Sequence, residues 1–354
     1  MIGYVKSAKG NGLGLPPFHG HDVSTIRGPA RTCRGHIRNP IAMVRLVFSD
    51  FDEYVEAMPT IDGQICVTAR SQGGWSLDTL DLEGIVVMQG ESGAPGIFQG
   101  AKQPTCFCVY APLPGFENRL NGEAIGHRKF GWLTPGSDVQ VRAPAPSSFI
   151  GLDIAESAWR RHLESEGSAL AMSSSAKVGG VPTADGLIAT AARALARQAE
   201  DPTAFSTATA RDHLRTQLLH AVMASHESST ANDARGTSRP ASRRRVVRRA
   251  IEHIEHCLQT GEPLAGLPRE TGVSQRSLNR AFNETFGMSA QLYAGLARLH
   301  AIRKQLRSAR AGETVTSACT RYGVWDVGRM AGKYQRTFGV APSEELNRAV
   351  HRRR

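Results

Sequence analysis

The sequence predicts an α+β protein with an N-terminal strand-rich module of barrel or jelly-roll type, which includes some helices, and an all-helical C-terminal domain. Three observations support this prediction. Residues 41–150 contain short β-prone runs separated by glycine and proline, and after residue 155 apolar residues recur with helical spacing. A polar stretch near residue 230 separates the two regions. The length of 354 residues is enough for two domains of ordinary size.

Five runs in the N-terminal region are the clearest strand candidates because they are rich in β-branched and aromatic residues. They are residues 41–48, 64–69, 84–88, 105–110 and 138–142. Turn-forming pairs such as Asn121-Gly122 lie between them. Three helices are predicted next, over residues 156–164, 184–200 and 208–224. The third has an apolar stripe that either joins the core or, in the alternative, forms a dimer seam.

The positive charge is concentrated in the last third of the chain. The whole sequence has 43 Lys and Arg against 32 Asp and Glu, a formal charge of +11. Residues 242–354 hold 21 of the basic and 9 of the acidic residues, whereas residues 1–241 hold 22 and 23. This asymmetry is typical of a polyanion-binding module joined to a near-neutral one. The alternative is a basic surface that only keeps the protein soluble.

Composition also excludes several classes of protein. No apolar run approaches the ~20 residues that cross a bilayer, and no signal-peptide core is present, so we expect a cytoplasmic protein without a membrane partner. The six cysteines lack the spacing of a disulfide framework or a zinc site. His19 and His21 form an HxH pair with no third ligand at a recognisable spacing. We therefore predict no metal site and no cofactor.

We divide the chain into two domains and a linker. Residues 1–225 form the predicted sensor or dimerisation domain, and residues 245–350 form the helical domain. Residues 226–244 are rich in Ser, Thr, Gly and Asn at their centre and lack large apolar side chains there, as a flexible linker should.

The first pattern that indicates a function lies at residues 262–287. A short helix should end at Gly272, which tolerates the positive φ of a tight turn, and Ser274 should cap a second helix. In that second helix Leu278, Phe282 and other apolar residues share one face. The opposite face, together with the helix start, carries side chains that reach bases and phosphates in a major groove. These are Gln275, Arg276, Asn279, Arg280 and Asn283.

The same layout recurs at residues 313–339. Gly323 should form the turn and Asp326 should cap the following helix. Arg329, Lys333 and Arg336 then project outward at helical spacing. A long helix over residues 290–308 is predicted to connect the two units. Two such units in tandem on the basic third of the chain predict a tandem helix-turn-helix domain.

Residues 249–350 resemble the tandem helix-turn-helix domain of the AraC/XylS family of bacterial regulators. The motifs that carry the resemblance include Gly272-Val-Ser274, Phe286-Gly287, Gly323, Phe338-Gly339 and Pro342. Thr314-Val-Thr, Arg321-Tyr-Gly323, Gly328-Arg329 and Pro342-Ser-Glu344 are most similar to the branch that contains the ethanolamine-operon regulator. Several residues depart from the family pattern, although Val324, Met330 and Cys319 keep its apolar character. Pro268 predicts a short or bent first helix, and Gly332 weakens the last recognition helix by ~1 kcal/mol.

The resemblance implies a sequence-specific transcription regulator, specifically an effector-responsive activator without enzymatic activity. Its implied partners are double-stranded promoter or operator DNA and RNA polymerase, with a small-molecule effector and a homodimer as further expectations. The DNA-binding residues that it implies are Ser274, Gln275, Arg276, Asn279, Arg280, Asn283, Asp326, Arg329, Lys333 and Arg336.

An alternative from another class is an enzyme or methyl-acceptor repair protein that the C-terminal domain targets to DNA. Cys106 or Cys108 would then be the reactive N-terminal cysteine. The reactive form of a cysteine is its thiolate, so a reactive residue needs an exposed thiol with a lowered pKa. The burial of these two side chains therefore distinguishes the two interpretations.

Overall fold

The computed structural model describes residues 44–126, 129–167, 177–180, 184–230, 239–262, 264, 266–310 and 312–351. The predicted HxH pair, His19 and His21, lies outside the described residues, as does the start of the strand predicted at residues 41–48. Within the described residues no helix is long and apolar enough to span a membrane.

The N-terminal module consists of two packed antiparallel sheets. The larger sheet has the strand order β1 (Val44–Phe48), β3 (Trp75–Asp81), β4 (Ile85–Ser92), β11 (Ser147–Ala155), β6 (Cys106–Pro112), β9 (Lys129–Leu133) and β12 (Lys177–Gly180). The smaller sheet has the order β2 (Ile61–Val67), β5 (Gly96–Lys102), β10 (Asp138–Ala143), β7 (Asn118–Leu120) and β8 (Glu123–Ile125). Two antiparallel sheets face to face confirm the predicted jelly-roll type of fold.

The central strands of the larger sheet are buried on both faces. Its inner face packs on the smaller sheet through a cluster that includes Trp75, Leu77 and Phe98. Its outer face packs on helices, among which Trp159 and Leu218 contribute to the core. Strands buried on both faces read as continuous apolar runs, which is why all seven residues of β6 are buried.

Among the described residues, four helices belong to this module. They are α1 (Phe51–Glu56), α2 (Glu156–Ser165), α3 (Ala184–Glu200) and α4 (Ala208–Thr230). The apolar stripe of α4, including Leu214, Leu218 and Val222, is buried in the same core as β6 and β11. The stripe is therefore core, and the alternative that it forms a dimer seam is wrong.

All five predicted strands are present within the described residues with shifted ends, whereas β3, β5, β7, β8, β9, β11 and β12 were not predicted. Glycines at residues 96 and 100 made β5 look like a turn. At Gly100 a Cβ atom would lie 2.3 Å from the Asp62 carbonyl oxygen, so the close approach of β2 requires glycine there. Helix α1 was also missed, since six residues are too few for a periodic signal.

The predicted linker, residues 226–244, is wrong at both ends. Helix α4 continues to Thr230, and α5 (Arg239–Thr260) begins before residue 244. The flanking segments contain Ala, Glu and Arg, which favour helix, so the adjoining helices extend through them. Residues 231–238, at the centre of the predicted linker, lie outside the described residues. The division into domains itself stays a prediction.

The C-terminal domain contains seven helices among the described residues. After α5 they are α6 (Leu267–Thr271), α7 (Gln275–Phe286), α8 (Ala290–Arg307), α9 (Val315–Arg321), α10 (Val327–Phe338) and α11 (Pro342–His351). One core joins α5, α6, α7 and the first half of α8. A second core joins the last half of α8 with α9 and α10. Helix α8 is therefore shared by both helix-turn-helix units.

A buried arginine joins the two parts of the chain. The Arg303 side chain, which is 7% exposed, lies 2.6 Å from Asp52 and 2.5 Å from Asp50 of the N-terminal module. Its guanidinium also lies 4.2 Å from the centre of the Phe51 ring. Burial alone would raise the pKa of Asp50, but Arg303 and Arg307 lower it below its usual value. The folded state therefore favours the charged form of Asp50.

We expect Arg303→Met to lower the free energy of unfolding by about 3 kcal/mol, because it removes the more buried of the two arginines that pair with Asp50 and Asp52 and leaves only Arg307. The size is limited because Asp52 is half exposed. Urea denaturation measures this change. Lys304→Met on the exposed face of the same helix is the control and should change stability by less than about 0.5 kcal/mol. Equal stability of both variants would contradict the role assigned to Arg303.

Candidate nucleic-acid interface

The first helix-turn-helix unit has the turn that the sequence predicted. Gly272 ends α6 with φ of +69°, a conformation that costs other residues ~1–2 kcal/mol. Ser274 caps α7, where its hydroxyl accepts a hydrogen bond from the Ser277 backbone N–H at 3.2 Å. Pro268 lies in the first turn of α6, where no intrahelical N–H bond is lost. Helix α6 is short, as predicted, with five residues.

The second unit repeats this geometry. Thr314 and Ser317 form a capping box at the start of α9, with both hydrogen bonds at 3.0 Å. Gly323 makes the turn with φ of +67°. Asp326 caps α10, and its carboxylate accepts from the Arg329 backbone N–H at 2.9 Å. The two predicted caps, Ser274 and Asp326, are therefore confirmed as caps, while their contact with DNA stays a prediction.

The inward faces of α7 and α10 fix the orientation of the outward faces. Leu278, Phe282 and Phe286 are fully buried on α7, and Met330 and Tyr334 are buried on α10. Residues three and four positions apart lie on the same face of a helix, so the residues on the opposite face point away from the core. Both helices therefore present one polar face to solvent.

The predicted side chains on α7 differ in their exposure and in whether they are paired within the protein. Gln275, Arg276, Arg280 and Asn283 are exposed and line a shallow open depression together with Asn279 and Glu284. Arg280 pairs with Glu284 at 2.9 Å. Asn279 is half-buried, and its side-chain oxygen accepts from the Ala290 backbone N–H at 3.3 Å. No hydrogen bond or ion pair engages the Arg276 guanidinium within the described part of the chain, so Arg276 is the freest candidate.

On α10 the exposed face is cationic throughout. Arg329, Lys333 and Arg336 are exposed, and among the described residues no carboxylate pairs with their side chains. The pKa of Lys333 is lowered, first by burial and then by the neighbouring positive charges of Arg298, Arg329 and Arg336. Like charges held together without a counter-ion favour a polyanionic partner such as a phosphate backbone.

The N-terminal module contacts the C-terminal ends of both helices. Arg142 donates a hydrogen bond to the Phe286 carbonyl at the end of α7. The Phe51 ring stacks on Phe338 at the end of α10, with 6.2 Å between ring centres. A cation at a helix C-terminus is favourable because the carbonyls there carry partial negative charge. The N-terminal halves of α7 and α10 stay exposed in this arrangement.

Sequence reasoning missed several residues at this interface. Trp325, directly before the Asp326 cap, is 79% exposed, and an exposed tryptophan in a polar turn was the signal that could have found it. Arg298 lies beside Lys333, and burial lowers the pKa of its guanidinium. Arg142 gave no signal in the sequence because it meets α7 only through the tertiary fold.

A small cavity lies between the two sheets of the N-terminal module. Its volume is about 90 Å³, and most of its lining is apolar, including Tyr54, Met88 and Phe98. Two pairs of polar groups in its wall are bonded to each other: Lys102 bonds Asp153, and Asn118 donates to the Tyr110 hydroxyl at 2.6 Å. The Tyr54 hydroxyl is buried without a hydrogen-bond partner among the described residues.

Both candidate reactive cysteines are buried. Cys106 is 5% and Cys108 7% exposed. Burial raises the pKa of both thiols, and the nearby Lys102 opposes this shift without reversing it. The two side chains therefore stay protonated thiols at neutral pH, which is the opposite of a reactive cysteine.

Residues 267–348 match the family described as the helix-turn-helix domain. A probable thc operon regulatory protein of Rhodococcus erythropolis is 39% identical over 102 residues, which are 28% of this chain and 31% of that protein. XylDLEGF operon transcriptional activator 1 of Pseudomonas putida is 33% identical over 101 residues, which are 28% of this chain and 30% of that protein.

Among solved structures, a probable AraC family transcriptional regulator from Rhodopseudomonas palustris is 32% identical. That match covers 30% of this chain and 97% of the solved chain, with a TM-score of 0.28. The two curated relatives are matched over less than a third of their length, and the family match begins at residue 267. The shared part is thus the C-terminal domain.

We expect Cys106 and Cys108 of the native chain to resist alkylation by iodoacetamide at neutral pH, because both thiols are buried and protonated. Peptide mass mapping measures the modified fraction of each cysteine. The urea-unfolded chain is the control, in which both should react rapidly. Equally fast modification of the native chain would contradict their burial and favour the enzyme alternative.

Proposed function

We propose that this chain is a sequence-specific regulator of transcription of the AraC/XylS family, and the match of residues 267–348 to the helix-turn-helix domain family supports this. One observation carries the proposal. Two capped recognition helices, α7 and α10, are held by the same helix α8 and expose basic side chains that lack carboxylate partners, with the exception of Arg280. Such faces bind the phosphates and base edges of duplex DNA.

The outward side chains divide into two roles. Arg276 has the geometry to read guanine, since a free guanidinium near a helix start forms two bonds to a base edge. Asn283 offers the amide that pairs with adenine. The cationic group of Arg329, Lys333 and Arg336 suits phosphates, which set the position of the protein but carry no sequence information. Gln275 and Arg280 add polar contacts at the edges of the first face.

Activation of transcription is the direction that we propose. A matched relative is named as a transcriptional activator, which supports this direction. An activator contacts RNA polymerase, so polymerase is the second macromolecular partner of the proposal. The narrower resemblance to the ethanolamine-operon branch, the cytoplasmic location and the homodimer stay predictions.

An effector in the N-terminal cavity would act through α1. Tyr54 of this helix lines the cavity, Asp52 pairs with Arg303 of α8, and Phe51 stacks on Phe338 of α10. Within one short helix, Tyr54 thus lines the cavity while Phe51 and Asp52 contact the DNA-binding domain. A ligand acts through such a contact only if it binds two arrangements of α1 with different affinity. The mostly apolar lining favours a small apolar molecule.

The enzyme alternative receives less support. It requires an accessible thiolate, and the structure buries both Cys106 and Cys108 with raised pKa values. The proposed function therefore assigns no chemistry to the N-terminal module.

We expect the full chain to bind duplex DNA with an affinity that falls steeply as salt rises. If it neutralises ~6–8 phosphates, the plot of log affinity against log salt has a slope near −6. Fluorescence anisotropy over a salt series measures the slope, after the preferred site has been selected from random duplexes. Absence of duplex binding at low salt would contradict the proposed function.

Two variants distinguish residues that read bases from residues that contact phosphates and position the protein. Arg276→Ala should cost ~1–3 kcal/mol on the preferred site and relax the preference at one base pair. Lys333→Ala should weaken binding to all duplexes alike and reduce the salt slope by about one. Selection from random duplexes, followed by salt titration, measures both effects. Arg161→Ala, on the exposed surface of α2, is the control.

An unchanged base preference after Arg276→Ala would show that Arg276 only contacts phosphate. A sequence-dependent loss after Lys333→Ala would move Lys333 to the group of base readers.

A further inference from the structure

Three potential metal ligands from two helices meet on the outer surface of the N-terminal module. His162 lies in the last turn of α2, Glu166 follows that helix directly, and His220 lies on α4. One donor atom of each residue lies within 4.8 Å of the donor atoms of the other two. The Nε2 atom of His220 is 3.2 Å from the Glu166 carboxylate. This cluster lies away from the α7 and α10 faces and from the cavity between the sheets.

His162 is the unusual member of the cluster. Its residue is 7% exposed, and its Nε2 atom is buried without a hydrogen-bond partner among the described residues. A buried ring nitrogen without a partner costs ~1–3 kcal/mol, so most such groups are satisfied by something. The His162 ring lies beside His220, with 5.0 Å between ring centres.

The scaffold holds the cluster in place. His162 and Glu166 are four residues apart, which puts them on the same side of the helix end. Trp159 of α2 and Leu218 of α4 are packed in one core, which fixes the two helices next to each other. His220 and Glu166 are about half exposed, so their side chains have room to close the cluster from its present spacing of up to 4.8 Å.

We propose that His162, Glu166 and His220 form a binding site for a divalent transition-metal ion of the zinc type. Two imidazoles and one carboxylate are the donors that such ions prefer, and water completes the coordination at the exposed side. Bonds of ~2.0–2.2 Å place neighbouring donors about 3.3 Å apart, which is close to the present distance between His220 and Glu166. Calcium and magnesium prefer all-oxygen ligands and do not fit.

The bound ion would tie the end of α2 to the middle of α4 across the helical layer of the module. This site departs from our prediction that the chain holds no metal. Glu166 and His220 are 54 residues apart in sequence, a spacing that matches no known motif.

The test uses the full chain, purified without metal and titrated with Zn²⁺ in a calorimeter and with Co²⁺ in an absorption spectrometer. We expect one equivalent of each ion to bind. His220→Ala and Glu166→Gln should each weaken binding at this site at least tenfold. His213→Ala, an exposed histidine on the same helix α4, is the matched control and should bind as the unchanged chain does. Since the three replaced side chains lie at the surface, circular dichroism should show unchanged folding.

Two further readouts locate the ion. Zn²⁺ should raise the Tm of the unchanged chain and of His213→Ala but not of His220→Ala, because a ligand that binds only the folded state stabilises it. The Co²⁺ complex should lack a thiolate charge-transfer band, since the site contains no cysteine. Such a band would assign the ion elsewhere, for example to Cys257, whose sulfur lies 3.5 Å from a ring nitrogen of His253. That band, or equal stoichiometry and affinity in His220→Ala, would overturn the proposal.

Discussion

Helix α8 contributes side chains to both cores of the C-terminal domain and carries the arginines that hold the N-terminal module. Tyr293, near its start, stacks on Phe286 of the first unit with 5.2 Å between ring centres. Ile302 and Leu306, near its end, are fully buried against the second unit. Because close-packed cores do not deform continuously, the two recognition helices are fixed relative to each other by this shared packing. The spacing of the two outward faces therefore depends on α8.

The same helix receives the N-terminal module. His300 meets the Val67 carbonyl at 3.0 Å, and Arg303 pairs with Asp50 and Asp52. Arg142 adds a contact at the end of α7. A shift of α1 relative to α8 would expose Arg303 or leave it unpaired, so the contact favours two discrete arrangements over a gradual slide. Control of DNA binding by the N-terminal module requires a contact of this kind.

Features that depend on a few neighbouring residues could be predicted from the sequence. Gly272, Ser274 and Asp326 specify turns and caps by their own backbone and side-chain chemistry, and the buried stripes of α7 and α10 fix their outward faces. Features that depend on distant residues could not be predicted. The bond that Asn279 accepts from Ala290 was missed for this reason, as was the arrangement of the strands around β5.

The histidine cluster and the Arg303 network show the same limit. His162 and His220 become neighbours only because α2 and α4 share a core, and Arg303 meets Asp50 across 253 residues of chain. Neither pair has a local sequence signature. The uneven distribution of charge along the sequence indicated the same part of the chain as the proposed DNA contact, because net charge does not depend on the details of the fold.

We propose that one chain reads two successive major grooves with a spacing that α8 fixes. The 18 residues of α8 make a helix of about 27 Å, close to the ~34 Å between successive major grooves on one face of the duplex. The test is the affinity for the mapped site after about five base pairs, half a helical turn, are inserted between its two contact blocks. We expect most of the specific affinity to be lost, and inserting about ten base pairs should not restore it. Unchanged affinity after the half-turn insertion would show that a single helix-turn-helix unit reads the DNA and would rule out reading of two grooves by one chain.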